Sequence, residues 1–440
     1  MQLILTLFST NSCKYHCLQT EPGLDKFVGN ATGNSGCLLE DLETLLFFVL
    51  VTAGLRRLPL EDTRQVLNDV EEVLKEHSFV HRRSWIRVLS GKEEAYYGWV
   101  ALNYRMGHLR NPSQGSTLGL IDLGDSSLQV VVEGNDGARD ETNLIRKKIG
   151  SVEHHILAYS LSSFGLNGAF DRTVAMLSQL QPNKGNADER YTLRHPCLGL
   201  KFEQNFTCYA CDGLNITYKK NLNNRKHKTK DIYLVGEADW EHCIEVARAA
   251  AMNSSRLDGL QPTVHTNCKS SLSSYNGNRI FNLTAATNPT SRFHALSGFF
   301  AVYNMLNLAP QANMTSIWEK REQLCSTSWG DLSNISGNQN SFAHYCFQVP
   351  YMASLIKDAL CLGDFEIIFD PGDIFWTLGA ALIEGEYLWL SISRTNISSS
   401  GKKVKLICPC WERRPQPLGH LCPLTSIQNG VQTNVRSQLY

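Results

Sequence analysis

The residues best suited to chemistry in this chain gather around one short stretch. Leu118 to Glu133 reads Leu-Gly-Leu-Ile-Asp-Leu-Gly-Asp-Ser-Ser-Leu-Gln-Val-Val-Val-Glu. It is an apolar strand, a tight polar turn and a second apolar strand. Asp122 closes the first strand, where a carboxylate can hold a divalent cation through water. Gly124, Asp125, Ser126, Ser127 and Leu128 form the bend, and Gln129 opens the return strand. Small residues let the backbone approach an anion, and successive N–H groups make a nest for it. A plain hairpin with a polar turn has the same local pattern, so the phosphate reading needs support from other segments.

Two such segments exist. The apolar run from Leu45 to Val51 predicts a buried strand. It runs into Thr52-Ala53-Gly54-Leu55-Arg56, which puts a hydroxyl and bare backbone at a strand's carboxyl end, where α/β sheets bind ligands. Gly91-Lys-Glu-Glu-Ala-Tyr-Tyr-Gly-Trp-Val-Ala-Leu-Asn-Tyr predicts a turn opening a helix, with Trp99, Leu102 and Asn103 facing inward. Glu93 and Glu94 fall in its first turn, where carboxylates complement the helix dipole. A carboxylate there can also serve as a general base.

The remaining elements must position these groups. Spacing predicts a helix over 60–77 with Val66, Val70, Val73 and Leu74 inward, and a short strand within 84–90. Helices are predicted over 149–164, 170–181, 239–253, 316–325, 351–360 and from Phe375 to about Leu390, with strands over 231–235, 278–284 and 365–369. The aromatic-rich segment from Ser291 to Leu306 predicts another helix, its rings more suited to a core than to a ligand. Residues 1–37 have no strong period, 183–190 and the basic run 219–230 suit solvated loops, and 394–440 suit a disordered tail. Strands alternate with helices in two regions joined near Asn111-Pro-Ser-Gln-Gly, an α/β arrangement.

Composition narrows the function classes. The 440 residues allow two to three domains, and 42% apolar content supports sizeable cores. Lys+Arg and Asp+Glu both number 42, which gives no basic face for a nucleic acid. There are 14 cysteines. Sequons begin at Asn30, Asn205, Asn215, Asn253, Asn282, Asn313, Asn334 and Asn396, and two flank Cys208 and Cys211. This pattern points to a glycosylated, disulfide-bonded lumenal protein. Cys208-Tyr-Ala-Cys211 has no second ligand pair at zinc spacing; local pairings of Cys243 with Cys268 and of Cys325 with Cys346 suit the spacing, and sequence alone leaves the connectivity open. The apolar runs Met1–Phe8 and Leu45–Thr52 are far short of a membrane span. Sequons without an export signal suggest that the natural amino terminus is missing.

Four segments occur together in order: Thr52-Ala-Gly-Leu-Arg, Gly91 to Tyr104, Asp122-Leu-Gly-Asp-Ser-Ser-Leu-Gln and Trp376-Thr-Leu-Gly-Ala. They resemble conserved regions of the apyrase family, the nucleoside triphosphate diphosphohydrolases, and their variants are similar to the plant apyrase-seven branch. The resemblance covers residues 14–390. It implies a two-lobed, actin-like (ribonuclease-H-like) α/β fold of mixed sheets flanked by helices, with a cleft between the lobes. The first lobe would be 1–117, incomplete and completed by 371–393. The second would be 118–370.

The resemblance also implies roles. Glu94 would be the base that takes a proton from the attacking water, and Ser127 and Gln129 would orient that water. Asp122, Thr52, Glu94 and Trp376 would hold the waters of a Ca²⁺ or Mg²⁺ ion. Thr52, Ala53, Gly54 and Gly124 to Leu128 would meet the nucleotide, and Phe299 or Phe300 would stack on its base. Substrates would be nucleoside di- and triphosphates, in the Golgi or ER lumen or outside the cell, with membrane anchoring usual for the family. Two departures stand out. No Asp-x-Gly-Ser-Thr-like phosphate loop precedes Thr52, and Asp125 stands where the family has Gly. They motivate a second expectation, a catalytically impaired isoform or a nucleotide-binding protein on the same fold. A third, an exopolyphosphatase or sugar kinase, rests on the Asp-x-Gly turn alone.

Overall fold

The computed structural model describes residues 3–8, 15–20, 46–56, 58–76, 81–109, 116–134, 141–149, 152–181, 191–208, 211, 230–252, 274–275, 278–279, 292–308, 316–320, 325, 339–363, 365–370 and 372–384. The expected loops at 183–190 and 219–229 and the tail at 394–440 lie outside them.

A first sheet has the order β2-β1-β3-β4, from β1 (Leu3–Phe8), β2 (Tyr15–Thr20), β3 (Leu46–Val51) and β4 (Ile86–Val88). β1 and β2 make an antiparallel hairpin, so a hairpin does precede Thr52, in a stretch where the sequence showed no period. β3 and β4 are parallel. Between them come α1 (Ala53–Arg56) and α2 (Leu60–Lys75). In α2, Val66, Leu67 and Leu74 are buried, whereas Val73 is 55% exposed and faces out, contrary to expectation. The helix α3 (Gly91–Arg105) begins with a capping box between Ser90 and Glu93 and buries Trp99, Leu102 and Asn103.

The central sheet has the order β15-β14-β5-β6-β8-β7. Its strands are β5 (Gly119–Leu123), β6 (Leu128–Glu133), β7 (Leu144–Ile149), β8 (Val152–Leu161), β14 (Arg292–Ser297) and β15 (Glu366–Ile368). A smaller sheet, β10-β11-β9, is formed by β9 (Thr192–His195), β10 (Glu203–Cys208) and β11 (Lys230–Gly236). β12 (Ser274–Tyr275) and β13 (Asn278–Arg279) form a two-stranded hairpin. Helices α4 (Leu166–Leu180), α5 (Trp240–Ala251), α6 (Gly298–Met305) and α7 (Gln339–Ser354) complete the fold, with helix also at 316–320 and 376–384.

Two of the expected helices are corrected. Residues 152–161 are a strand, not a helix. Ile156 and Ala158 pack with α3 while Leu157 and Tyr159 pack on the opposite core. A strand buried on both faces shows a continuous apolar run, which looks like a buried helix. The segment from Ser291 also starts as a strand, β14, and becomes helix only at Gly298.

Cys243 pairs with Cys197 across a 4.8 Å Cα separation, not with Cys268, because the turn after β9 meets the first turn of α5. Cys325–Cys346 forms as expected, and Cys208 bonds Cys211. Beside the first disulfide, His195 is wholly buried. It stacks on Phe170, and His344 meets the same ring edge-on. Burial lowers His195 to about 3, with His344 and His242 adding repulsion, and burial lowers His344 to about 4. Both are neutral when folded, while the unfolded chain takes up protons below about 6.5. Stability should therefore fall as pH drops from about 6.5 toward 4, by about 1.4 kcal/mol per pH unit for each histidine. Urea midpoints at pH 7 and pH 5 check this: His195→Phe should flatten the pH dependence, and an equally steep fall in that variant would refute the attribution.

Candidate active site

The site rests on strand alternation. In β5, Leu120 packs with α3 and Ile121 on the opposite core, so Asp122 shares the face of Leu120. Asp122 pairs directly with Gln129, and Gln129 with Ser160. Directly paired residues of antiparallel strands lie side by side on one face. Ser160, Gln129 and Asp122 therefore form a polar row across β8, β6 and β5. Helix α3 lies over that row. A Cβ added at Gly91 would fall 2.4 Å from Ser160 Oγ, and one at Gly98 would fall 2.9 Å from Leu120. Glu94 sits between these two contacts, above the row. Its electrostatic coupling to Asp122 has the same origin.

Glu93 and Glu94 are adjacent but differ in role. Glu93 closes the capping box on Ser90 and accepts a 2.6 Å bond from Arg87. Arg87 also reaches Glu384, which accepts from Tyr97, so this cluster ties β4, α3 and the helix 376–384 together. Glu94, 12% exposed, accepts a 2.7 Å bond from Arg56, whose guanidinium also donates to Leu89 C=O. Burial raises the Glu94 carboxyl to about 7; Arg56 opposes the shift and Asp122 adds to it. Burial likewise raises Asp122, which is hydrogen-bonded to Ser297.

The bend after Asp122 is held from below. Gly124 N–H donates to Ser127 C=O at 2.9 Å, closing the turn. The first amides of α4 donate to it, Leu166 to Gly124 C=O at 3.1 Å and Asn167 to Asp125 C=O at 2.9 Å. A Cβ on Gly165 would sit 2.3 Å from the Ser126–Ser127 backbone. Ser127 and Gln129 are buried, and Gln129 Nε2 donates to Ser127 Oγ at 2.6 Å. Asp125 is exposed at the tip and keeps a negative φ. Ser126 and Gly124 are half-buried, and the Leu128 side chain is in the core, leaving only its backbone for a ligand.

Thr52 is half-buried at the carboxyl end of β3, and its carbonyl accepts from Leu55 N–H at 3.2 Å. Ala53 is buried and Gly54 half-buried in α1. Trp376 is half-buried against Gly98, one helical turn beyond Glu94. Of the two candidate stacking residues, Phe299 is 0% exposed in the core and offers no face for a base, which corrects that half of the expectation. Phe300 is half-buried, its ring against Gly372. Arg56, Ser160 and Ser297 belong to the same cluster and were not singled out by the sequence.

The carboxyl ends of two parallel pairs, β3/β4 and β5/β14, thus supply the residues around Glu94 and Asp122. Comparison with solved structures gives the same architecture. A structure described as nucleoside triphosphate hydrolases from Neospora caninum superposes with a TM-score of 0.51 at 15% identity, over 76% of this chain and 71% of that one. The fold is the two-lobed, actin-like α/β fold of mixed sheets flanked by helices.

The GDA1/CD39 (nucleoside phosphatase) family matches residues 10–392, and the chain belongs to that family. It is 35% identical over 431 residues to "Probable apyrase 7" of Arabidopsis thaliana, covering 94% of this chain and 56% of that protein. "Probable apyrase 6" of Arabidopsis thaliana is 26% identical, with 85% of this chain and 66% of that protein covered. Ectonucleoside triphosphate diphosphohydrolase 3 of Mus musculus is 24% identical, with 75% and 62% covered. The chain thus spans between about half and two thirds of the length of these relatives.

Proposed function

We propose that the chain hydrolyses the terminal phosphates of nucleoside di- and triphosphates to the monophosphate, with Glu94 as general base. One observation carries this reading: α3 suspends a buried carboxylate over the row of Asp122, Gln129 and Ser160, beside a bend of small residues. Phosphoanhydride hydrolysis needs a positioned water, a base and neutralised phosphate charge. Glu94 takes the proton of the water. Gln129 and Ser127, already bonded to each other, orient it. The backbone of Gly124 to Leu128, with Thr52, Ala53 and Gly54, would receive the phosphates, and Phe300, half-buried, is the aromatic left to stack on the base.

A divalent cation suits these residues. Two neighbouring carboxylates, Glu94 and Asp122, disfavour each other's charge, and a cation between their waters relieves this. Among the described residues no group of three His, Cys, Asp or Glu side chains could hold a metal ion directly. Asp122, Thr52, Glu94 and Trp376 would hold Ca²⁺ or Mg²⁺ through waters. When bound, the ion supplies charge neutralisation and a template for the phosphates.

The disulfides favour an oxidising lumen or the cell exterior over the cytosol. No described helix is long and apolar enough to cross a membrane. Phosphate release from UDP, GDP or ATP with Ca²⁺ or Mg²⁺, set against polyphosphate and sugars plus ATP, tests the substrate class. Release from polyphosphate alone would refute it.

Asp125 and the segment Ser9-Thr-Asn-Ser-Cys-Lys14 between β1 and β2, without Asp or Gly, depart from the phosphate-loop pattern and motivate a non-catalytic, nucleotide-binding reading, which the family match does not favour. Asp125 adds a negative charge to the bend that would meet phosphate. Its removal should relieve about 1 kcal/mol of repulsion. Asp125→Gly is therefore expected to lower the nucleotide KM about fivefold, read from initial rates. An unchanged KM would mean that the carboxylate does not sense the phosphates.

A further inference from the structure

Ser297 departs from local rules in three ways. It is the last residue of β14 and stands at the N-cap of α6, with φ 54 and ψ −115. That backbone region suits glycine and is strained for any residue with a Cβ. Serine at an N-cap usually accepts a bond from its own helix. This one makes no such bond. Its hydroxyl is bonded to Asp122 instead.

The strain makes this bond reachable. β14 and β5 are parallel, with Leu296 beside Asp122 and Ser297 beside Leu123. Leu296 packs on the α3 side of the sheet and Leu123 on the other. A residue continuing the alternation at 297 would face away from Asp122. The positive φ reverses that direction. Gly298 then starts α6 directly against β5: a Cβ there would lie 2.7 Å from Leu123 C=O.

We propose that Ser297 is a positioning residue, held in a strained backbone so that its hydroxyl fixes the Asp122 carboxylate in the orientation that receives the cation's waters. The proposal rests on the hydrolase reading above. It makes stability and function change in opposite directions. Ser297→Gly removes both the strain and the hydroxyl, and its melting temperature should rise above the parent's. The same variant should need about tenfold more Ca²⁺ or Mg²⁺ for the half-maximal thermal shift in the presence of a non-hydrolysable nucleoside triphosphate analogue. Ser297→Asn, which keeps a side-chain donor at the same position, should recover part of that cation response.

The test is a cation titration followed by thermal melting for parent, Ser297→Gly, Ser297→Asn and Glu94→Gln. A higher melting point with a weakened cation response in Ser297→Gly supports the proposal. A lower melting point, or a cation response equal to the parent's, overturns it. Loss of turnover in Glu94→Gln together with a parent-like cation response in Ser297→Gly would sink the positioning role while leaving the hydrolase reading standing.

Discussion

A Glu94→Gln chain is expected to fold as the parent does and to lose about 10²–10⁴-fold in turnover, the usual contribution of a positioned general base. The amide preserves shape and can still meet Arg56, but it cannot accept the water's proton. The environment of Glu94 defines the pH dependence. Burial raises its carboxyl to about 7 with Asp122 adding to the shift, and Arg56 prevents a larger rise. The base form is the carboxylate, so kcat/KM should climb with pH up to about 7 and then level. That parameter reports the free enzyme. Arg56→Ala removes the opposing cation and should move the rise to higher pH. A profile that does not respond to Arg56→Ala would mean that another group titrates.

Gly165→Ala is expected to cost about 10²-fold in kcat/KM and about 1–3 kcal/mol of stability. Gly165 has φ −66 and ψ 156, a backbone that alanine adopts freely. The effect is therefore steric alone. The new methyl would lie 2.3 Å from the Ser126–Ser127 backbone, against an ordinary contact of about 3.5–4 Å. The bend must retreat by about 1 Å or α4 must tilt. Either movement strains the bonds from Leu166 and Asn167 to the turn carbonyls and displaces Ser127, which accepts from Gln129. The measurement pairs steady-state kinetics with urea unfolding. Parent-like kinetics with lowered stability would show that the bend tolerates displacement.

The legible parts of the sequence were those in which local chemistry and tertiary role agree. Leu46–Val51, the capped helix α3 and the hairpin around Gly124 all follow from runs, caps and turn residues. The candidate site was legible in outline for the same reason: Glu94 and Asp122 sit at element ends that their neighbours announce. Strands buried on both faces are not legible in this way. Val152–Leu161 and Arg292–Ser297 carry apolar runs without alternation, because packing on both sides removes the polar half of the pattern. Two residues of the candidate cluster depend on these strands. Ser160 faces Gln129 only if 152–161 is a strand, and Ser297 reaches Asp122 only if β14 ends there. Arg56 was in plain view in Thr-Ala-Gly-Leu-Arg, but no local rule connects it with a glutamate 38 residues later. The Cys197–Cys243 pairing was hidden likewise, since it depends on β9 meeting α5.

The central claim is that Glu94, held over Asp122 and Gln129, activates a water against a nucleotide's terminal phosphate. Inorganic phosphate released from UDP at pH 8, with Ca²⁺, with Mg²⁺ and with chelator, by the parent and by Glu94→Gln at equal concentration, tests it most directly. The account predicts cation-dependent release by the parent and a rate at least about 100-fold lower in the variant. Equal rates from the two proteins would contradict it.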